Sequence, residues 1–517
     1  MKKIIFLILF PTFLFSQNND WNKKKIIDFF NFNKYNDSVF YKSDNFSSLY
    51  YSSFSGERKK IRLLHHQKLN KFLNINLDVK KFSQEGVFTK SIGKFHDVNF
   101  SVSFINKKNT YLIESFFNYK KMLLQENGGL INYQINEFND PLLYSSNLKN
   151  AENSGKIRQF LIKQRYNLSA NFKLSHLWKR NKKSRKYIDN YPLDGFYSNV
   201  YYDFQRTADS LYFQEDIHEF KLSYNNFTLG YILNSDIFSN FFNDTSIFKR
   251  GFISIYNSNR VFNGLLFNFN KDSLDLTVKY FNNGQYNLYF SFLRNNINLQ
   301  LSLNKNKIDP YFLNYTSNHF IWNNDFKMTE NQFLKINYFY KIINFNILFN
   351  REKNTPFIDN NLNWQQNLTG LYQIRSSISN KFKFGLFNSK NNFIYQWNSD
   401  EKIIREPEFQ FINTSFINKK IFKKSLEAKF GFDFIYYSKY ESKSYIPSLS
   451  LFYLENNFYV GNYFIINPFV EAKISSALLR FELNNFQEIL FNKKYFIFAN
   501  YPFYPMSFQF NLVWNLN

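Results

Sequence analysis

The chain contains no cysteine. That removes thiolate nucleophiles, cysteine-ligated zinc and disulfides together. It also removes a lipoprotein anchor. Histidine is sparse: His65, His66, His96, His176, His218 and His319 are the whole set. Only His65 and His66 are adjacent, and neighbours in a strand point to opposite faces, so they would not share a metal there. No HExxH, no GxSxG and no glycine-rich phosphate loop occurs. The expectation is therefore a non-enzyme with no catalytic residue, no cofactor and no metal.

A second absence concerns long apolar runs. Lys2 and Lys3 precede the apolar stretch Ile4 to Phe15, which has the form of a signal peptide spanning residues 1–16, with cleavage between Ser16 and Gln17. Beyond Phe15 no stretch reaches the roughly 20 apolar residues that a membrane-crossing helix needs. The mature protein is either secreted or held in a membrane by strands. A third absence is of linkers. No Pro/Ser/Gly-rich segment and no shift of composition divides the chain, which reads as one continuous unit.

What the chain does have is a two-residue alternation, recurring in segments of about ten residues. From Ser425 to Tyr436, Leu426, Ala428, Phe430, Phe432, Phe434 and Tyr436 share one face. Glu427, Lys429, Gly431, Asp433 and Ile435 share the other. Period two marks a strand between an apolar and a polar medium. A soluble sandwich shows the same local pattern, but many such strands behind a signal peptide point to a transmembrane β-barrel. An aromatic content of 21% is more than a globular core uses and suits an apolar belt with interfacial girdles. A base-composition bias could enrich Phe, Tyr, Ile, Asn and Lys, but would not arrange them with period two.

The connections support a meander. Leu274, Leu276, Val278 and Tyr280 form one face, Asn282-Asn283-Gly284 turns, and Tyr286, Leu288, Phe290 and Phe292 continue. Arg294-Asn295-Asn296 turns again into Ile297, Leu299, Leu301 and Leu303, and Lys335 to Arg351 repeats the hairpin. Longer polar stretches, Lys179–Asp194, Lys305–Thr316, Glu352–Asn363, Ser399–Glu408 and Asn485–Phe503, are expected as loops. The fold class is all-β, an antiparallel up-and-down transmembrane barrel. At roughly 20 residues per strand and connection, it has about 22 strands, within a range of roughly 18 to 24. The barrel is expected over residues 69–517, with alternation starting near Leu73. Residues 17–68 are expected as a periplasmic or lumen-tucked segment, with Ile26, Ile27, Phe29 and Phe30 as a short amphipathic helix and Ser38–Ser55 able to hold early strands.

The net charge of +25 raises the question of partners. Lys173, Lys279, Lys335, Lys341 and Lys429 fall on the polar face of predicted strands, together with Asp275, Glu427 and Asp433. These eight are the pore-lining candidates, and they predict a mixed-charge lumen. The basic cluster Lys179, Arg180, Lys182, Lys183, Arg185 and Lys186 reads as a solvated loop able to touch lipopolysaccharide. Nucleic acid is not expected, because the aromatics follow strand period rather than a recognition module.

Near the C-terminus, Tyr501-Pro502-Phe503-Tyr504-Pro505-Met506 leads into a last alternating strand, Phe508, Phe510, Leu512, Trp514 and Leu516. This ending resembles that of the Putative porin family of Bacteroidetes. Thr207–Tyr224, with Ala208-Asp209-Ser210 leading into His218-Glu219-Phe220, resembles a loop-to-strand passage of the same family. The chain ends on Asn517 rather than on an aromatic, a departure from the terminal signal that the outer-membrane barrel assembly machinery recognises. The resemblance implies a barrel in the outer membrane of a Gram-negative bacterium, among its lipid and lipopolysaccharide. The expected activity is passive diffusion of small hydrophilic solutes through a water-filled lumen. The alternative is a plugged transporter or a structural barrel working with partner proteins, although the roughly fifty mature residues before Leu73 are few for a plug domain. A homo-oligomer is compatible with the sequence, and nothing in it specifies a trimer.

Overall fold

Alternation along each segment becomes a closed wall in the computed structural model, which describes residues 45–54, 58–131, 140–190, 195–242, 253–422, 425–491 and 495–516. The signal peptide, the Ser16/Gln17 cleavage site and the Ile26–Phe30 helix lie outside the described residues. The wall begins with β1 (Phe46–Phe54), β2 (Arg58–Lys68), β3 (Leu73–Gln84), β4 (Gly93–Ile105), β5 (Tyr111–Glu126) and β6 (Ala151–Asn167). It continues with β7 (Phe172–Asn190), β8 (Arg206–Tyr224), β9 (Phe227–Phe242), β10 (Ile253–Lys271), β11 (Leu274–Phe281) and β12 (Tyr286–Arg294). Next come β13 (Ile297–Asn306), β14 (Thr329–Tyr340), β15 (Ile343–Lys353), β16 (Leu371–Phe384) and β17 (Phe387–Asn398). The last five are β18 (Phe409–Ile421), β19 (Leu426–Tyr437), β20 (Tyr463–Ile474), β21 (Ala477–Asn484) and β22 (Ser507–Leu516). Every strand pairs antiparallel with its sequence neighbours, and β22 returns to pair β1 from Leu516↔Ser47 to Gln509↔Phe54. The sheet therefore has 22 strands and no edge.

The faces sort as the alternation requires. On β19, Phe430 and Phe432 are exposed outward, whereas Asp433 and Ile435 are buried inward. No helix among the described residues is long and apolar enough to cross a membrane. One end of the cylinder is joined by short turns such as 225–226, 272–273, 295–296, 341–342, 385–386 and 475–476. Their first residues, Asn225, Asp272, Asn295, Lys341, Gly385 and Ser475, all have positive φ. Asn, Asp and Gly tolerate this region best. The other end carries the long connections 127–150, 307–328, 354–370, 438–462 and 485–506.

Several local expectations are corrected. The barrel starts at Phe46, so β1 and β2 lie inside the stretch 17–68 that was expected to precede the wall. Lys179–Asn190 is not a loop but the upper half of β7, paired to Asn190↔Arg206 on β8. There the strand rises past the apolar belt, so both faces turn polar and the period-two contrast vanishes. Lys341 sits in the turn after β14 at φ 49° rather than on a strand. The connection 438–462 is not among the expected loops, and it is apolar at Ile446, Leu449, Leu451 and Phe452. Its apolar residues pack among other loops instead of against lipid.

Candidate functional site: a loop-packed mouth over a polar lumen

The long connections fold toward one another and build a core of their own. Tyr311 and Tyr315 (307–328), Ile358 (354–370) and Ile446 and Leu449 (438–462) pack against Leu211, Phe213 and Phe238 of the inner wall. Phe312, Trp322, Trp364 and Tyr453 close around them. The rings interlock: Tyr311–Tyr315 centroids lie 4.9 Å apart, Tyr315–Trp322 4.6 Å, Trp322–Trp364 5.5 Å and Phe312–Trp364 5.0 Å. Each such side chain taken out of water contributes about 1.5–3 kcal/mol, so this is a genuine hydrophobic core. A second cluster joins Tyr445 to Phe498 and Tyr501 of connection 485–506. The Tyr501–Met506 motif thus serves the mouth as well as the last strand.

Polar groups of the wall pin these loops. Arg185 of β7 is buried and donates from Nη1 to the Leu449 carbonyl (2.7 Å) and from Nη2 to Pro447 O (3.3 Å) and Ser448 O. It also donates to Asn153 Oδ1 (3.2 Å from Nε), while Asn153 Nδ2 donates to Glu126 Oε1 (2.7 Å) and to Pro447 O (2.7 Å). Tyr445 OH completes the clamp by donating to Glu126 Oε1 at 2.9 Å. One guanidinium therefore holds three consecutive carbonyls, which its fixed fork of donors allows. Arg405 does the same for the other side of connection 438–462, donating to Ser442 O (2.6 Å), Glu455 O and Asn456 Oδ1 (3.1 Å).

Connection 307–328 is held by Arg260, which pairs with Asp236 (2.9 Å) and donates to Ile308 O (3.0 Å), and by the Lys307–Asp236 contact. Its far side is anchored by Asn318 and His319. Asn318 N donates to Asp209 Oδ1 at 3.0 Å. The His319 ring stacks on Tyr197 at 3.6 Å. Its Nδ1 lies 2.9 Å from the Asn199 carbonyl and its Nε2 lies 2.6 Å from Thr207 Oγ1. The carbonyl fixes the tautomer: Nδ1–H donates, and Nε2 accepts the Thr207 hydroxyl. Burial lowers the imidazole pKa to about 4, against a smaller opposing effect of the Asn199 carbonyl. Burial likewise raises the Tyr311 phenol.

Below the mouth, inward side chains form ion-pair networks. Asp78 binds Arg62 (2.8 Å) and Lys80 (3.0 Å). Glu219 binds Lys279 (2.8 Å) and Lys221 (2.5 Å). Arg480 meets Asp433 (2.6 Å), Glu482 (2.9 Å) and, at 4.0 Å, Glu471, which also holds Lys429 (2.6 Å). Of the eight lining residues named from the sequence, Lys279, Lys429 and Asp433 are thus placed in such networks. Glu427 accepts from Asn418 (2.7 Å) and Asp275 from Asn268 (2.7 Å). Lys335 is half-buried opposite Gln300 and Leu348, and Lys173 is exposed near the turn end of β7. These residues are not gathered into one constriction. The clamp residues Glu126, Asn153, Arg185 and Arg405 were not singled out as a site. Arg185 sits in the basic cluster, but what it grips comes 262 to 264 residues later in the chain.

Comparison with solved structures supports the barrel. The siderophore receptor PiuA from Acinetobacter baumannii superposes with a TM-score of 0.61 at 12% identity, covering 93% of this chain and 82% of that one. The ferric-catecholate import receptor Fiu from Escherichia coli K12 in its open form gives 0.58 at 9%, covering 93% and 82%. The copper transporter OprC gives 0.62 at 9%, covering 93% and 81%. At such identities the likeness shows the fold alone. No curated protein matches the sequence. A family model described as "Putative porin" matches residues 14–517, nearly the whole chain, and the protein therefore belongs to that outer-membrane β-barrel family.

Proposed function

We propose that this protein is an outer-membrane conduit through which small hydrophilic solutes pass passively, with access limited by the packed loops at its mouth. The loop end faces outward and the short turns face the periplasm, as in other outer-membrane barrels. The observation that carries the reading is the pairing of a polar inner wall with a mouth where the chain's own long connections pack on one another and on that wall. A wall of 22 strands is too wide for its side chains alone to fill. Selectivity would then be steric at the mouth and electrostatic below it, with no residue performing chemistry.

The test is single-channel current in a planar bilayer under a salt gradient. Steady conductance that grows when connection 438–462 is shortened supports the conduit. A second reading, a transporter that opens only when an energy-coupling partner acts, draws on the same packed mouth. It predicts a silent bilayer from folded protein, with current appearing only after loop removal. A bilayer silent in both cases overturns both readings.

A further inference from the structure

Outside the barrel, one sector of the wall carries a feature that neither the lumen nor the mouth uses. Register places Lys81 of β3 opposite His96 of β4, His96 opposite Lys121 of β5, and Lys121 opposite Lys156 of β6. Four adjacent strands thus present four basic side chains in one row on the outer face. Two residues nearer the loop end, the neighbouring row adds Lys59 and Lys94, separated by Ser83. Two residues nearer the turn end, the next row runs Val79, Val98, Tyr119, Arg158, Lys182. Below that lies a purely apolar row, Leu77, Phe100, Phe117 and Phe160.

Like charges directly opposite in a sheet are destabilising, and here Lys121 faces Lys156 and, one row on, Arg158 faces Lys182. The acids nearest in register do not compensate, because alternation turns them inward, and Glu152, four residues toward the loop end on the outer face of β6, acts with Lys186. Asp78 and Asp97 are buried in the lumen wall and are taken by Lys80 and Lys120, one residue away from Lys81 and Lys121. Among the described residues, Lys81, Lys94, Lys121, Lys156 and Arg158 form no ion pair, and all five are exposed. The patch ends at β7–β8, where Arg180 meets Asp216 at 2.6 Å. The far wall is different near its loop end. There Tyr395 faces Phe409, and Phe411, Tyr436 and Phe464 follow across β18–β20. That sector has an aromatic girdle and no basic row.

We propose that the outer face of β3–β6 is a docking surface for a phosphate-bearing glycolipid headgroup of the outer leaflet. Its phosphates would lie on the Lys81–Lys156 row and its acyl chains on Leu77, Phe100, Phe117 and Phe160. Charge complementarity and the apolar row two steps beneath argue for a lipid rather than a free anion, since only a lipid satisfies both rows at once. The proposal rests on the outward orientation of the loop end given above. It is separable from the conduit reading, because lipid retention and conductance are measured independently.

The full-length protein is placed in nanodiscs of zwitterionic phospholipid containing a small fraction of diphosphoryl lipid A, and retained lipid is read by native mass spectrometry. Wild type retains lipid A. The variant Lys81→Gln/Lys121→Gln/Lys156→Gln loses retention on the order of 100-fold, as expected for three lysines at a membrane surface, while conductance is unchanged. A charge-matched control at the turn end, Lys107→Gln/Lys108→Gln/Lys271→Gln, retains lipid A like wild type. Equal retention by all three proteins overturns the proposal. Displacement of lipid A by millimolar inorganic phosphate also overturns it, by showing a free-anion site. Should the triple variant fail to fold, wild type alone decides: equal retention of diphosphoryl and dephosphorylated lipid A sinks the idea.

Discussion

The two ends of this barrel solve the same problem, joining antiparallel strands, in opposite ways. At the turn end, connections such as 225–226, 272–273 and 295–296 reverse the chain with one residue at positive φ and no core of their own. At the loop end, connections 307–328, 354–370 and 438–462 carry aromatic and aliphatic side chains that bury one another. The turn end depends on local backbone chemistry and on the ladder. The loop end depends on tertiary packing between segments that are far apart in sequence. The mouth core closes on Leu211, Phe213 and Phe238 of the wall, so it rests on the cylinder but is held by side-chain packing where the wall is held by its ladder. Regions held in such different ways are expected to open at different free energies.

The sharpest way to break the comparison is to remove the centre of the mouth core. Tyr311 touches Tyr315, Trp322, Phe312 and Phe238. Tyr311→Ala should cost the loop assembly about 3–5 kcal/mol. Hydrogen exchange should then rise across 307–328 and 438–462 while the turn end stays protected, and conductance should increase. Uniform loss of protection at both ends would show that mouth and wall are one unit.

Arg185→Ala comes next. It leaves the carbonyls of Pro447–Leu449 and the Asn153–Glu126 pair without their cationic partner. Hydrogen bonds to a charged group are worth roughly 1.5–3 kcal/mol each in net terms, and the loss is cushioned by water reaching the opened loop. We expect a loosening of about 3 kcal/mol, read as protease cleavage within 438–462 that wild type resists. Resistance equal to wild type would assign the hold on this loop to its apolar contacts alone.

The pH response separates the ends without any mutation. His319 is neutral in the folded mouth, its pKa lowered by burial to about 4 from the ordinary 6.5. A lowered base means that the released loop binds the proton more readily than the packed one. The stabilisation is complete above pH 6.5 and is lost as pH falls from 6.5 toward 4. At pH 5 the loss is about 2 kcal/mol. Current should rise on acidification, and His319→Gln should flatten the profile. A profile unchanged by the variant would place the pH sensitivity elsewhere.

The strand count, the antiparallel meander and the last strand were legible because each rests on period two, which survives wherever one face meets lipid and the other water. Legibility failed where that contrast fails. Above the belt on β7, Lys182 and Lys183 are both polar whichever way they point, so a strand read as a loop. In connection 438–462, Ile446 and Leu449 are apolar because they enter the mouth, so a loop left no loop signature. The clamp was invisible for a further reason. Arg185 and the Pro447–Leu449 carbonyls meet only because the barrel closes, and no spacing along the chain encodes that meeting.

The lumen charges give the smallest effect and the finest test of the sequence reading. The alternation places Lys335 and Lys341 together on the polar face, yet Lys335 lies mid-strand on the inner wall and Lys341 at a turn tip, its Nζ 5.3 Å from the Tyr340 ring centroid. A fixed charge acts on permeating ions over about one Debye length, roughly 8 Å at physiological salt. Lys335→Glu should therefore shift the reversal potential by a few millivolts toward cation preference at low salt, and the shift should fade as salt rises toward molar. Lys341→Glu makes the same change of net charge and should shift it less, because the turn tip stands clear of the inner wall. Equal shifts from the two variants would mean that selectivity follows the overall charge of the protein, and the inner wall would lose its claim to set it.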